Sequence, residues 1–210
     1  MLAPDEIRTR RLLLRPWSAD DAEQLLPVLE ANRSHLEKWI PARVSEPAPL
    51  PLLAARLATF AADFAADREW RYALVALEDG RILGEISLFP RSAEGRVPYP
   101  AADRAEIGYW LRADATGAGL ASEAAQAMVD LAATMPAVQH VEIRCDARND
   151  ASAAIPRRLG FELSDRVSAA SVSAASAAPV TLQVWTRSLR SGRRQTASEK
   201  QRTLPSGSST

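Results

Sequence analysis

Two rhythms of apolar and polar residues divide the chain. A period near two runs through residues 11–15, 71–77, 82–89, 107–111, 141–146, 161–166 and 180–187 and predicts strands, most of them bounded by Gly, Pro, Asn or Asp. A period near 3.6 predicts helices over a stretch running toward Ala31 and over residues 50–67, 120–133 and 151–159. Ser18 with Asp21 reads as a capping box for the first of these, and Pro27 should kink or shorten it. Ser34 with Glu37 should cap a short helix that carries Trp39. The turn Glu78-Asp79-Gly80-Arg81 joins two strands into a hairpin. Strands interspersed with helices predict an α/β fold with a mixed sheet.

Composition fits one enzyme-sized unit. The chain has 210 residues, 47% hydrophobic and 25% charged, enough to bury a full core. Its 26 basic residues balance 26 acidic ones, so neither nucleic acid nor a membrane is an expected partner. A single cysteine makes no internal disulfide, and neither an apolar leader nor a run of about 18 apolar residues is visible, so a cytoplasmic location is expected. Two segments read unlike folded core: the Ala/Ser-rich residues 168–178, and residues 190–210, expected to be a disordered tail.

The chemistry concentrates in TGAGLASEA, residues 116–124, between a predicted strand and a predicted helix. Gly117 and Gly119 can take positive φ, which turns successive backbone N–H groups toward one point at the positive end of a helix and cradles a phosphate or pyrophosphate. A tight strand-to-helix turn with no ligand uses glycine for the same reason. The spacing G-x-x-x-x-G-K-[ST] is absent, and G-x-G-x-x-G fails because Ser122 stands at its third glycine, which excludes those two phosphate loops. His35 and His140 lie far apart with no zinc-ligand spacing, so no metal is expected. Cys145 alternates with Val141 and Ile143 and reads as a core residue.

From Ala105 the chain carries AEIGYWL, then TGAGLASEA, then NDAS followed by a short helix and RLGF. In that order these pieces resemble the GNAT superfamily of acetyl-CoA-dependent N-acetyltransferases. Within it they resemble the RimJ/RimL branch, which acetylates ribosomal-protein N-termini. Upstream, IRTRRLLLRPWSADDAEQLLPVLEANRSHLEKWIP looks like that branch's opening strand and first two helices. The resemblance spans residues 7–189 and implies one domain built on a central mixed, mostly antiparallel, twisted sheet flanked by helices. Its middle strands would splay to bind acetyl-CoA, the co-substrate.

The resemblance also implies roles. Backbone N–H groups of Gly117, Ala118, Gly119, Leu120, Ala121 and Ser122 would hold the pyrophosphate. Thr116 stands where the family usually has Arg or Gln, and Arg112 lies near enough to replace that charge. The main chain at Tyr109, Trp110 and Leu111 would pair with the pantetheine arm, and the N–H near Leu111 would face the oxyanion. Glu106 would be the general base, with Glu85 as its rival. Ser152 would be the general acid or a hydrogen-bond donor to CoA, because the family's frequent tyrosine on that helix is replaced by Ile155 and Pro156. Asn149 would touch CoA, and it suits a helix N-cap equally well. The acceptor would be a primary amine, on a peptide N-terminus or a small molecule, and the protein a monomer or homodimer. Asp20, Asp21, Glu23, Glu30 and Glu37 with Trp39 could form a rim for a cationic acceptor. Thr116 and the missing tyrosine leave a second reading, a catalytically degenerate domain that binds acyl-CoA as a sensor or partner module.

Overall fold

The alternating segments assemble into one eight-stranded sheet in a computed structural model that describes residues 2–170 and 179–189. Its strands are β1 (Ile7–Arg8), β2 (Leu12–Pro16), β3 (Trp70–Ala76), β4 (Ile82–Arg91), β5 (Arg104–Leu111), β6 (His140–Asp146), β7 (Glu162–Ala169) and β8 (Val180–Ser188). They lie in the order β1-β2-β3-β4-β5-β6-β8-β7. Every neighbouring pair is antiparallel except β5 and β6, which are parallel and joined through a helical crossover. The helices are α1 (Ala22–Ala31), α2 (Arg33–Leu36), α3 (Ala42–Ser45), α4 (Leu50–Ala65), α5 (Leu120–Ala133) and α6 (Asp150–Arg158).

Helices cover both sheet faces. On α5, Ala124, Ala125, Met128 and Ala132 are buried in one cluster with Ile107, Val141 and Ile143. On the other face Leu25 and Leu29 of α1 and Leu53, Leu57 and Phe60 of α4 pack with Ala73, Val75 and Trp110. The α4 spacing of three and four residues is the stripe that the sequence predicts, and each Leu buried this fully contributes about 1.5–3 kcal/mol.

The sheet is interrupted in its middle. β5 and β6 pair only from Arg104 with His140 to Ile107 with Ile143. Both strands continue, to Leu111 and to Asp146, without pairing further. On the other side of β5, β4 carries a register shift at Leu83, between Gly84 opposite Leu74 and Ile82 opposite Val75. A Cβ at Gly84 would lie 2.0 Å from the carbonyl oxygen of Trp110, so only glycine fits that approach.

Several local expectations change. Ser18 and Asp21 form their capping box, but on a 3-10 turn, Ala19–Asp21, that leads into α1. Pro27 sits inside α1, which runs on to Ala31. Ser34 does not cap the next helix. The backbone N–H groups of His35 and Leu36 donate to the Asn32 carbonyl, so α2 begins two residues earlier and leaves Trp39 in the turn beyond it. β1 is too short for periodicity to reveal. β7 reaches into the Ala/Ser-rich stretch as far as Ala169, while residues 171–178 and 190–210, including the expected tail, lie outside the described residues. Among the described residues no helix is long and apolar enough to cross a membrane.

Candidate active site

Where β5 and β6 part, a cavity of about 650 Å³ opens, reaching the N-termini of α5 and α6 on one side and the turns after α2 on the other. At its α5 end Gly117 and Gly119 have φ of +77° and +80°, the left-handed geometry that glycine adopts freely. Gly119 is the N-cap of α5 and supplies no side chain, so the first amides of that helix have no capping partner. Ser122 Oγ, in the first turn, is buried in the cavity wall without a hydrogen-bond partner. Unpaired amides, the helix dipole and an orphaned hydroxyl fit a pyrophosphate.

The loop is held from outside by Arg11. Its Nη1 donates to the Ala118 carbonyl at 2.9 Å and its Nε to Glu123 Oε2 at 2.8 Å. Glu123 also accepts from Thr9 Oγ1 at 2.6 Å and from the Arg11 backbone at 2.8 Å. Burial pushes the Glu123 carboxyl up, but the hydrogen bonds from Thr9 and Arg11 outweigh it and hold the group below its ordinary value. The same contacts offset a carboxylate that stands in the first turn beside the cradle. At α6, Asn149 Oδ1 accepts from the Ser152 backbone at 3.0 Å, so the residue does cap the helix. Thr116 spends its hydroxyl on the Ala113 carbonyl, 2.7 Å away.

Along β5 the parity of each residue decides its task. The Arg112 backbone donates to Leu83 across the β4 side, and amides alternate in direction along an extended strand. The main-chain groups of Tyr109 and Leu111 therefore turn toward the opening and those of Trp110 toward β4. Side chains alternate too. Tyr109 points to the α5 and α6 face, where its hydroxyl lies 3.1 Å from both Oγ and the carbonyl oxygen of Ser152. Burial raises the Tyr109 phenol well above its ordinary value. Burial also lifts the neighbouring Cys145 thiol, which leaves it protonated and a poor nucleophile.

Glu106, Gly108 and Trp110 point to the opposite face, with Glu85 and Ser87 of β4. Both candidate bases line the cavity there. Glu85 is fully engaged: Oε1 accepts from Arg71 Nη1 at 2.8 Å and Ser87 Oγ at 3.0 Å, and Oε2 accepts from Trp17 Nε1 at 2.8 Å. Glu106 is held on one side only. Its Oε2 accepts from Arg91 Nη1 at 2.7 Å, whereas Oε1 faces Arg96 at 3.8 Å, beyond hydrogen-bond reach. Behind it, fully buried Glu142 accepts from Arg104 at 2.8 Å and from Arg144 at 3.0 Å.

The structure thus brings Glu106, Glu85, Tyr109, Trp110, Leu111, Thr116, Gly117, Gly119, Leu120, Ala121, Ser122, Asn149 and Ser152 to one cavity. Arg112 and Ala118 are not part of the wall. Arg112 turns its guanidinium to Asp114, two residues on, and so does not replace the missing charge at Thr116. Ala118 gives its carbonyl to Arg11. The acidic residues expected at the acceptor rim are absent from the wall as well; Asp21, for one, is clamped by Arg15 at 2.6 and 2.7 Å. Of that group only Trp39 lines the cavity, beside His35, Lys38 and Arg43.

Arg71, Arg91, Arg96 and Arg144 were not foreseen at the site. Arg71 gave a signal, since an arginine within the apolar strand Trp70–Ala76 requires a buried carboxylate. Asn32 was also missed: its amide donates to Val28 and accepts from Ala113, tying α1 to the turn before the glycine loop. Among the described residues no group of three or more His, Cys, Asp or Glu is placed to hold a metal ion.

Comparison with known proteins identifies the family and the fold. Residues 11–162 match a family model described as an acetyltransferase (GNAT) domain. The Bacillus subtilis protein named "Probable N-acetyltransferase YjcK" is 24% identical over 155 residues, covering 74% of this chain and 82% of that protein. The structure of the microcin C7 self immunity acetyltransferase MccE with acetyl-CoA and AMP is similar at a TM-score of 0.75 and 18% identity, covering 89% of this chain and 98% of that one. A structure of RimL, a ribosomal alpha-N-protein acetyltransferase, with coenzyme A gives 0.73 and 20%, covering 87% and 97%.

Proposed function

The chain belongs to the acetyltransferase (GNAT) family, which uses acetyl-CoA, and from that premise we propose that it transfers the acetyl group in one direct step to the α-amine of a peptide N-terminus. The observation that carries the reading is the two-faced opening at β5. Phosphate-binding features and Tyr109 with Ser152 lie on one face, and a carboxylate with one oxygen left open, Glu106, lies on the other.

Acetyl-CoA supplies an activated acetyl thioester at this opening. The amides of Gly117 to Ser122 and the α5 dipole hold its pyrophosphate, and Ser122 Oγ gains the partner it lacks. The unpaired main chain of Tyr109 and Leu111 lies beside the arm like an added strand, and the Leu111 N–H donates to the acetyl oxygen as charge develops there. Glu106 takes the proton from the attacking amine through Oε1. Ser152 gives a proton to the departing sulfur as the C–N bond forms and the C–S bond breaks; Glu106 then loses the proton it took to solvent and Ser152 regains one from solvent, which restores both groups. Burial lifts the Cys145 thiol above its ordinary value, which disfavours the thiolate that an acyl-enzyme at that residue would need.

Resemblance to RimL, whose substrate is an α-amine on a protein, supports the peptide acceptor. The test is thiol release from acetyl-CoA with an N-terminally free peptide against its N-blocked, lysine-bearing twin. The expected outcome is acetylation of the first; preferential labelling of the blocked twin would reject the N-terminal assignment.

A further inference from the structure

The face of the sheet that carries Glu106 is rich in hydrogen-bond donors that have nothing to donate to. Among the described residues, three buried N–H groups of the cavity wall lack a hydrogen-bond partner: Arg71 Nη2, Trp110 Nε1 and Arg91 Nε, the last of which still faces Glu142 Oε2 at 3.8 Å in an ion pair. An unmet buried donor is costly, and guanidinium nitrogens are the costliest to leave bare. The fourth orphan of the wall, Ser122 Oγ, belongs to the phosphate cradle on the opposite face, so these three are not explained by CoA.

Charge points the same way. On this side the wall presents Lys38, Arg43, Arg71, Arg91, Arg96 and Arg144 against Glu85, Glu106 and Asp146. All three carboxylates already answer to arginines. Burial, together with the positive charges of Arg71 and Arg43, outweighs the attraction of Glu106 and Glu69 and holds the Arg96 guanidinium below its ordinary value.

The donors are also fixed in place. The Arg71 guanidinium lies 4.4 Å from the Phe60 ring and 4.8 Å from the Phe89 ring, while Arg96 stacks on Phe89 at 3.6 Å. Nε and Nη1 of Arg71 are tied to Glu69 and Glu85, which leaves Nη2 as its one uncommitted edge. A rigid cationic wall with spare N–H groups, its one open acceptor being Glu106 Oε1 opposite the amine, suits a ligand that brings an anionic acceptor beside that amine.

Resting on the acetyl-transfer reading, we infer that the acceptor carries a carboxylate close to its amine, and that Arg71, hydrogen-bonded to Glu85, and Trp110, opposite Glu85 in the sheet register, receive it. Two sources supply that chemistry: a peptide with Asp or Glu at its first or second position, and a free acidic amino acid.

Peptides identical except for Asp, Asn or Lys at the first or second position give the test, with free aspartate as a further acceptor. The expected result is kcat/KM for an Asp peptide about 10-fold or more above its Asn twin, with the Lys peptide lowest, since a site built to pair with a charged group rejects the analogue lacking it. A peptide preferred to free aspartate names the N-terminus as the source, and the reverse names the amino acid. Arg71→Lys keeps a charge opposite Glu85 but removes Nη2, and should bring the Asp to Asn ratio toward one. Calorimetry of the N-acetyl-Asp and N-acetyl-Asn peptides in the presence of CoA reads the same preference without turnover. Equal binding of the two products, or equal rates for the two substrates, would overturn the inference. A clear binding preference with no acetylation of any amine would instead overturn the acetyl-transfer reading and leave the carboxylate site standing.

Discussion

The hydroxyl of Tyr109 and the hydroxyl of Ser152 lie 3.1 Å apart, across the gap between β5 and α6. Tyr109 has one proton to give. If it goes to the Ser152 carbonyl, also 3.1 Å away, the serine must donate back to the tyrosine; if it goes to Ser152 Oγ, the serine proton is released for another acceptor. A tyrosine therefore does stand beside Ser152 in the cavity, arriving from a strand and not from the helix that holds Ile155 and Pro156. Tyr109→Phe should lower kcat by roughly 10-fold, the rate equivalent of one buried hydrogen bond, and leave CoA affinity within about 2-fold. Stopped-flow turnover with calorimetry checks this, and an unchanged kcat would deny Tyr109 any part in positioning Ser152.

The two carboxylates on the acceptor face should separate on substitution. Glu106→Gln is expected to cut turnover about 10²-fold with CoA affinity kept, the usual size of a general-base contribution. Glu85→Gln disturbs the Arg71 and Trp17 contacts and should lower stability before it lowers chemistry. Parallel rate and urea-melt measurements decide, and a fully active Glu106→Gln enzyme would shift the base to Glu85.

Gly119→Val places a branched side chain at a residue whose φ is +80° and at the cap of α5, where only Arg11 lies within 4 Å. Strain should cost on the order of 1–3 kcal/mol of stability, and CoA binding should be lost. Calorimetry on the folded variant is the check: retained CoA affinity removes the loop from the phosphate site.

Acid should weaken the grip on the glycine loop. The Glu123 carboxyl is held below its unfolded value, so its contribution to stability is present above about pH 4.3 and is lost as pH falls through the folded value. Glu123→Gln should therefore be less stable than the parent protein near about pH 7, by a margin that narrows at a pH below about 4.3. Urea melts at the two pH values test the sign; an equal difference at both would show that the carboxylate charge is not what holds Thr9 and Arg11.

Most strands and helices were legible because each buries one regular face, and the glycine loop at the start of α5 was legible because two glycines and a helix start are local in sequence. The acceptor side was not. Arg71, Arg91 and Glu106 come from three strands and meet only through sheet register, which one sequence does not reveal. Acidic residues on the first helices looked available as a rim, yet Asp21 is consumed by Arg15 and by the Ser18 backbone, a local contact that a charge count overlooks. Asn32, Arg11 and the Tyr109–Ser152 pair likewise depend on contacts between distant segments.

The parting of β5 from β6 makes the sheet a partition with one window. A donor seated at the α5 and α6 face and an acceptor seated at the Glu106 face would meet at that window from opposite sides, and neither would have to pass the other to enter or leave. Such a layout imposes no order of arrival. Initial-rate plots should then intersect, as they do when both substrates occupy the protein together, and each product should inhibit chiefly against the substrate whose side it shares.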